Sequence, residues 1–345
     1  MENKKILSVI IPTYNMEKYL NRCLDSFLIG NTDELEVVIV NDGSTDKSED
    51  IANEYVLNHP NIFRLLNKKN GNYGSTINAA LTTLKGLYVK VVDADDWIET
   101  AYLSRYLSML SNTDADIILS PFYFSFINGT RKEKTLNIKN VTCGKKYKYE
   151  DFTSFFFTDM YTTHCITYKL NIFSLFQYVQ TEGVSYTDQE WVFKPIVHLN
   201  SICFFDHPLY NYYIGRDGQT IEYSMKIKHS IDNYIGIKEM LSFQLKNSQV
   251  SINKKKIMDK MIIDRSLGLY IIELIFNSDK KKAMNMLDKL DALLIDKKDI
   301  LSQVEEYHKI GFGKFIKKWI LKRAFPNKYK TKLFIHLRNL VSKFR

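Results

Sequence analysis

The run Leu87-Tyr88-Val89-Lys90-Val91-Val92-Asp93-Ala94-Asp95-Asp96-Trp97 decides how the chain folds. β-Branched and aromatic residues dominate its first half, and Lys85-Gly86 before it is turn-like, so it opens as a strand. It closes with three carboxylates in four residues. In an extended backbone Asp93 and Asp95 share a face while small Ala94 points the other way. Two like charges aimed at one spot raise each other's pKa unless a cation sits there. A hard divalent cation answers that need, because it takes carboxylate oxygens and keeps positions open for phosphates. Asp96 stands three residues before Glu99, at the entry of the helical spacing Ile98, Tyr102, Leu103, Tyr106, Leu107, Leu110, and reads as the N-cap of a capping box. Asp93 and Asp95 are therefore assigned to chemistry and Asp96 to structure. A solvated acidic turn would look the same in isolation, so the surrounding chain carries the decision.

Upstream, strands and helices alternate. Ile6–Ile11, Leu35–Val40 and Ile62–Leu66 read as strands. Between them, Tyr19-Leu20, Cys23-Leu24 and Phe27-Leu28 recur at helical spacing, and Asp46–Leu57 reads as a helix with Asp46 and Glu49 at capping-box spacing. Ser75–Leu84 is a third helix, with Ser75 as its cap. Such alternation predicts right-handed crossovers and a mostly parallel sheet, with ligands beyond the carboxyl ends of the strands. Polar clusters fall at those ends: Thr13-Tyr14-Asn15, Asn41-Asp42-Gly43-Ser44, Asn70 to Gly74, then Asp93 and Asp95.

Downstream the alternation weakens. Ile117–Ser120 reads as a strand, residues 122–148 as a β excursion, Phe152–Met160 and the segment from Tyr186 as helix, and Pro208–Tyr213 as a strand. Residues 222–306 read as helices, on spacings such as Met258, Met261, Ile262 and Leu267, Tyr270, Ile271, Leu274. The divisions expected are 1–221, 222–306 and a tail, 307–345.

The composition, 45% hydrophobic and 25% charged in 345 residues, is that of an ordinary folded protein. Four scattered cysteines without a C-x-x-C pair exclude a thiolate zinc site and a disulfide framework, and favour a reducing compartment. The apolar run after Met1 is strand-length and reads as a first strand, not a signal peptide, and no window approaches a membrane span. From Tyr307 on there are twelve Lys or Arg and no acid, so the net charge of +9 leaves −3 for the rest. In that tail Phe312, Phe315, Ile316, Trp319 and Ile320 recur at helical steps beside the lysines, and after Pro326 the spacing resumes. An aromatic apolar face with a cationic remainder fits an anionic membrane surface; nucleic acid has no use for the apolar stripe. The alternative is that the stripe packs on the body or a second subunit.

The first turn, Pro12-Thr13-Tyr14-Asn15-Met16-Glu17, has no glycine, which argues against a dinucleotide cofactor. A mononucleotide diphosphate on a metal fits better: Tyr14 can stack on a base, Asp42 can accept from its N–H, and Asp95 can reach the metal. Gly71 and Gly74 precede a helix whose exposed N–H groups favour anionic oxygens. Asn78, one turn inside it, is either solvated or turned to the nucleotide. Asp188 and Glu190, between Tyr186 and Trp191, are candidates for a partly desolvated base, or simply acids at a helix start.

The segments Ser8-Val9-Ile10-Ile11-Pro12-Thr13-Tyr14-Asn15, Val38-Ile39-Val40-Asn41-Asp42-Gly43-Ser44-Thr45-Asp46 and Val92-Asp93-Ala94-Asp95-Asp96-Trp97 together resemble the family 2 glycosyltransferases, strongly over residues 6–110 and more weakly over 150–220. The resemblance implies an α/β, Rossmann-like GT-A fold with a mostly parallel sheet and flanking helices, plus a C-terminal helical region. It also implies inversion at the anomeric carbon of a nucleotide-activated sugar. On it, Pro12, Thr13, Tyr14, Asn15 and Asp42 surround the base, and Asp93 lies near the ribose. Gly74, Asn78 and Ala94 line the nucleotide-sugar site, and Asp95 with Asp93 holds Mn²⁺ or Mg²⁺. Asp188 is the general base, although Thr187 stands where an acid often precedes it. Ile77-Asn78 replaces the Arg-Asn of many relatives, and Asn70–Asn78 resembles a Gly-rich variant of bacterial cell-surface polysaccharide enzymes, capsule synthesis among them. The Gln-x-x-Arg-Trp motif and membrane helices of processive synthases are absent, which favours single addition. Tyr210–Thr220 is a candidate lid, and His164, Trp191 and Arg216 are candidate diphosphate or acceptor contacts. The implied partners are a UDP-sugar or similar donor and a glycan or lipid-linked acceptor, met in the cytoplasm at the inner face of the membrane. The alternative is a non-catalytic nucleotide-sugar-binding or membrane scaffold protein.

Overall fold

The computed structural model describes residues 5–29, 33–136, 138–152, 162–216, 219, 222–297 and 300. The helix expected over Phe152–Met160 falls almost entirely outside them, and the basic tail wholly so. Contacts divide the chain into two units, one of residues 1–217 with 243–257, the other of 218–242 and from 258 on.

The first unit begins with β1 (Leu7–Thr13), α1 (Leu20–Asp25), β2 (Leu35–Asn41), α2 (Ser48–Asn58), β3 (Phe63–Asn67), α3 (Asn72–Leu81) and β4 (Tyr88–Val91). β1 pairs in parallel with both β2 and β4, and β3 pairs in parallel with β2. All seven residues of β2, Leu-Glu-Val-Val-Ile-Val-Asn, are buried, as a strand covered on both faces must be. Each such aliphatic side chain contributes about 1.5–3 kcal/mol on burial. The strand order β3-β2-β1-β4 reverses direction at β1, which opens a crevice beyond the carboxyl ends of β1 and β4.

β5 (Trp97–Ile98), α4 (Thr100–Ser111), β6 (Ile117–Leu119), β7 (Phe122–Phe126), β8 (Arg131–Lys134), β9 (Lys146–Lys148), β10 (Ile166–Lys169), α5 (Asp188–Phe193), β11 (Ser201–Phe204) and β12 (Tyr210–Ile214) follow. The large sheet continues as β4-β10-β6-β11-β9, with β10 antiparallel to both neighbours. A second sheet, β5-β12-β7-β8, stands apart from it and carries Tyr210, Tyr212 and Tyr213 on β12. Segment 243–257, inside the expected helical region, belongs with this unit.

Helices α6 (Tyr223–Lys228), α7 (Ser230–Lys246), α8 (Ile252–Ile271) and α9 (Lys280–Leu294) complete the described chain. In the second unit Asp279 caps α9 by accepting from the Lys282 N–H at 3.0 Å, and Ala283, Met286, Leu287, Leu290 and Leu294 form its buried face. Tyr223 stacks on Phe276 at 3.7 Å. Among the described residues no helix is long and apolar enough to cross a membrane.

Three helix starts differ from expectation. Asp96 does not cap α4; Glu99 precedes it, and both Asp96 oxygens bond to β12 instead. Asp46 sits two residues before α2, where it accepts from the Ser48 and Glu17 N–H groups, while Glu49 turns to Asn41 and Asn67. α3 begins at Asn72, with Gly71 before it, so Ser75 lies inside the helix and bonds back to the Asn72 carbonyl at 2.7 Å.

Candidate active site

The loop after β1 is tied to the loop after β2. Asn15 adopts φ 54°, a conformation asparagine tolerates better than most residues. Its N–H donates to Ser44 Oγ at 3.1 Å and its side-chain oxygen accepts from the Thr45 N–H at 2.8 Å. Pro12 is half-buried and Thr13 is buried, its hydroxyl donating back to the Ile11 carbonyl. Tyr14 is 47% exposed, which leaves its ring a surface for a base. Asp42 is buried and already served: its Oδ1 accepts from Lys68 Nζ at 2.8 Å and the Gly71 N–H at 3.0 Å. A base would therefore meet a Lys68–Asp42 ion pair rather than a lone carboxylate.

After β4 the backbone turns at once, with the Asp96 N–H bonded to the Asp93 carbonyl at 2.9 Å. The extended alternation expected for residues 93–95 is absent. Ala94 is buried. Asp96 accepts from the Tyr210 hydroxyl and from the Tyr213 N–H at 2.7 Å, so it fastens the turn to β12. Asp95 is held twice: Arg22 donates to its carbonyl at 2.9 Å, and Arg216 Nε donates to its carboxylate at 2.5 Å. The Arg22 guanidinium lies between the Trp97 and Tyr213 rings, 4.0 and 4.2 Å from their centres. Asp93 is half-buried; desolvation, then the Asp95 and Asp188 charges, push its pKa up to about 7. Three carboxylates from two chain segments thus act on one spot.

His164 joins them. Its ring nitrogens and the Asp93 and Asp96 oxygens come within 4.8 Å of one another. The imidazole stacks on Tyr212 at 4.2 Å, and burial with the Lys90 charge pushes its pKa down to about 3. It is a neutral donor. Lys90, buried in β4, donates to the His164 and Ile166 carbonyls at 2.9 and 3.0 Å and so fixes that turn; burial brings its pKa down to about 7.

From a second chain segment, Asp188 is the half-buried first residue of α5, and its charge acts on Asp93. Glu190 is fully buried in an ion pair with Lys194 (2.5 Å) and accepts from the Thr181 N–H at 3.1 Å, which removes it as a rival base. Trp191 is not a ligand contact: it is completely buried, stacked on Phe173 at 4.7 Å and edge-on to Tyr168 and Tyr178. Gly74 and Asn78 face residues 180–182 rather than open space. A Cβ at Gly74 would stand 2.0 Å from the Thr181 carbonyl oxygen, and Asn78 exchanges two hydrogen bonds of 2.8 Å with the Gln180 backbone.

Residues 8–176 match the family model of glycosyl transferase family 2. The chain carries a family 2 glycosyltransferase domain. Glycosyltransferase GlyA of Streptococcus pneumoniae is 36% identical over 118 residues, which cover 34% of this chain and 17% of GlyA. The uncharacterized glycosyltransferase EpsJ of Bacillus subtilis is 32% identical over 118 residues, 34% of each chain. The matched stretch thus spans 17% and 34% of these two curated relatives. Pasteurella multocida chondroitin synthase is 28% identical over 209 residues, 58% of this chain and 20% of the synthase. In structure, the crystal form of S. aureus TarS 1-349 in complex with UDP matches with TM-score 0.59 at 19% identity, covering 86% of this chain and 83% of TarS. At that identity the likeness establishes the GT-A architecture alone.

The family 2 domain offers oxygen donors suited to Mg²⁺ or Mn²⁺. Asp93 is a half-buried carboxylate crowded by two others, which is the environment a cation relieves. Among the described residues the group whose ligand atoms lie close enough to share a cation is Asp93, Asp96 and His164. Both Asp96 oxygens also accept from β12, and the Asp95 carboxylate, outside that group, is paired with Arg216. Three further residues around the site, Arg22, Lys68 and Lys90, lie outside the sequence expectation. Tyr73 and Tyr210 fall in stretches it marked, Asn70–Gly74 and Tyr210–Thr220, without having been assigned a role of their own.

Proposed function

We propose that the domain transfers a sugar, with inversion, from a nucleotide-diphosphate donor to a hydroxyl of a glycan or lipid-linked acceptor. The observation that carries this is the meeting of Asp93 and Asp95 from the turn after β4 with Asp188 from α5, felt as mutual repulsion at Asp93. Tyr14 and the Lys68–Asp42 pair would receive the base, and Asp93 with Asp95 would hold Mn²⁺ or Mg²⁺, with His164 beside Asp93 and Asp96. The cation supplies charge neutralisation for a departing diphosphate. Arg216, ion-paired to Asp95, is the protein's own cation at that point. Asp188, half-buried, takes the proton of the acceptor hydroxyl as it attacks the anomeric carbon from the face opposite the nucleotide. A UDP-sugar is the favoured donor, because TarS is described in complex with UDP and with UDP-GlcNAc; the mannosyltransferase PcManGT of Pyrobaculum calidifontis, TM-score 0.50, is described with GDP-Man and Mn²⁺.

Screening nucleotide sugars for released nucleoside diphosphate, with and without EDTA, tests the proposal. One donor class should turn over, and chelation or Asp95→Ala should abolish transfer. Binding of donor without turnover under any acceptor would indicate a non-catalytic binding protein, and full activity in EDTA would remove the metal from the account.

A further inference from the structure

The segment from Gly71 to Asn78, expected to face the nucleotide, is bonded at every turn to the segment that leads into Asp188. Asn78 Nδ2 donates to the Gln180 carbonyl (2.8 Å) and to Glu182 Oε1 (2.8 Å), and its Oδ1 accepts from the Gln180 N–H (2.8 Å). The Gly183 N–H donates to the Gly71 carbonyl at 2.8 Å. Gly74 admits the Thr181 carbonyl so closely that no side chain fits between them. From there the order passes to α5. The Gln180 amide, fully buried, donates to the Thr187 carbonyl at 2.8 Å and hydroxyl at 3.0 Å, and the Thr181 N–H meets Glu190. Thr187 precedes Asp188. Just before Thr187, Tyr186 is held at φ 61°, a left-handed backbone that an aromatic residue adopts only where its surroundings enforce it. Tyr73, on the same first turn of α3, has a buried hydroxyl with no hydrogen bond of ordinary geometry, and the Asp93 and Asp188 charges both act on it.

We infer that Asn78 is a positioning residue of the transfer reaction: through Gln180 and Thr187 it sets where Asp188 stands relative to the Asp93–Asp95 turn. The inference rests on Asp188 being the base. It assigns the Gly-rich start of α3 to alignment of the acceptor side, and not to nucleotide contact. A rigid bond network of this kind is what near-attack alignment needs, because a displacement of about 1 Å at the reacting atoms can cost about a hundredfold in rate.

The experiment compares wild type, Asn78→Ala and Asp188→Asn by steady-state transfer, by calorimetric affinity for the donor that turns over, and by the pH profile of kcat. For Asn78→Ala we expect kcat to fall roughly ten- to a hundredfold. Donor affinity should stay unchanged, and the acid limb of the pH profile should move as the base changes surroundings. Unchanged kcat and pH profile overturn the inference, as does a loss confined to donor affinity, which would make Asn78 a nucleotide contact. If Asn78→Ala does not fold, Asn78→Asp, which keeps the bond from the Gln180 N–H, enters the same comparison. Full activity of Asp188→Asn would instead reject the base assignment itself, an outcome independent of Asn78.

Discussion

Gly74→Ala puts the alignment of the site under strain. The added Cβ would stand 2.0 Å from the Thr181 oxygen and 2.9 Å from its carbonyl carbon, whereas ordinary contact begins at 3.4 Å. Going from 2.0 to 3.4 Å moves the Thr181 carbonyl by about 1.4 Å relative to α3. Neither side gives way easily, since Gln180, Gly183 and Glu190 hold the 180–183 backbone from both flanks. Overpacking of this kind destabilises by about 1–3 kcal/mol. The same shift, passed to α5, displaces Asp188, and a misplacement of that size lowers kcat by roughly 10²-fold. Thermal unfolding, steady-state transfer and donor calorimetry on one preparation separate the effects. A folded variant should bind donor normally and turn over slowly. A folded variant whose kcat stays within about threefold of wild type would refute the reasoning, because the shift forced on Thr181 would then not reach Asp188.

Further outcomes are expected. Asp188→Asn should lower transfer by roughly 10²–10⁴ while donor binding persists; Glu190→Gln should lose stability first, since it breaks a buried ion pair with Lys194. If Glu190→Gln folds normally yet is inactive while Asp188→Asn transfers, the base has been misassigned. Glu273 lies buried in the second unit with its pKa raised by burial, so its ionisation opposes folding. Stability linked to this group is present below pH 4.5, the unfolded value, and is lost as pH rises through the higher folded one. Urea unfolding should find Glu273→Gln more stable than wild type at pH 7, with the gap closing near pH 4; a gap that widens on acidification would reverse the sign. For residues 307–345, the basic tail, cosedimentation with anionic against neutral vesicles should show binding that a chain ending near Glu306 loses, each Lys or Arg near the surface adding about 1 kcal/mol. Equal pelleting of both chains would make the tail a packing surface.

What the sequence made readable was what burial writes locally. β1 and β2 are covered on both faces, so they appear as continuous apolar runs ending in polar turns, and the site residues follow at those ends. α4 kept its spacing, with Leu103, Tyr106, Leu107 and Leu110 buried. Partners distant in sequence left no such mark. Asp96 looked like a cap because Glu99 lies three residues on, but its partners, Tyr210 and Tyr213, are 114 and 117 residues away. Asn78 finds Gln180 across 102 residues, and Lys68 finds Asp42 across 26. Trp191 follows two acids and so resembled a site residue, yet three aromatic rings from 168–178 enclose it. In sequence Gly74 reads as part of a helix start open to anionic oxygens, whereas it is required by a neighbouring carbonyl that only the folded chain brings there.

The central claim is that Asp188, whose charge acts on Asp93 after β4, delivers the acceptor to the face opposite the leaving nucleotide. Proton NMR of the first product formed from an α-linked nucleotide sugar tests it most directly, because the anomeric coupling is read before any equilibration. The account predicts a β-linked product. An α-linked product would contradict it, since retention requires a second displacement that a single base on the opposite face does not provide.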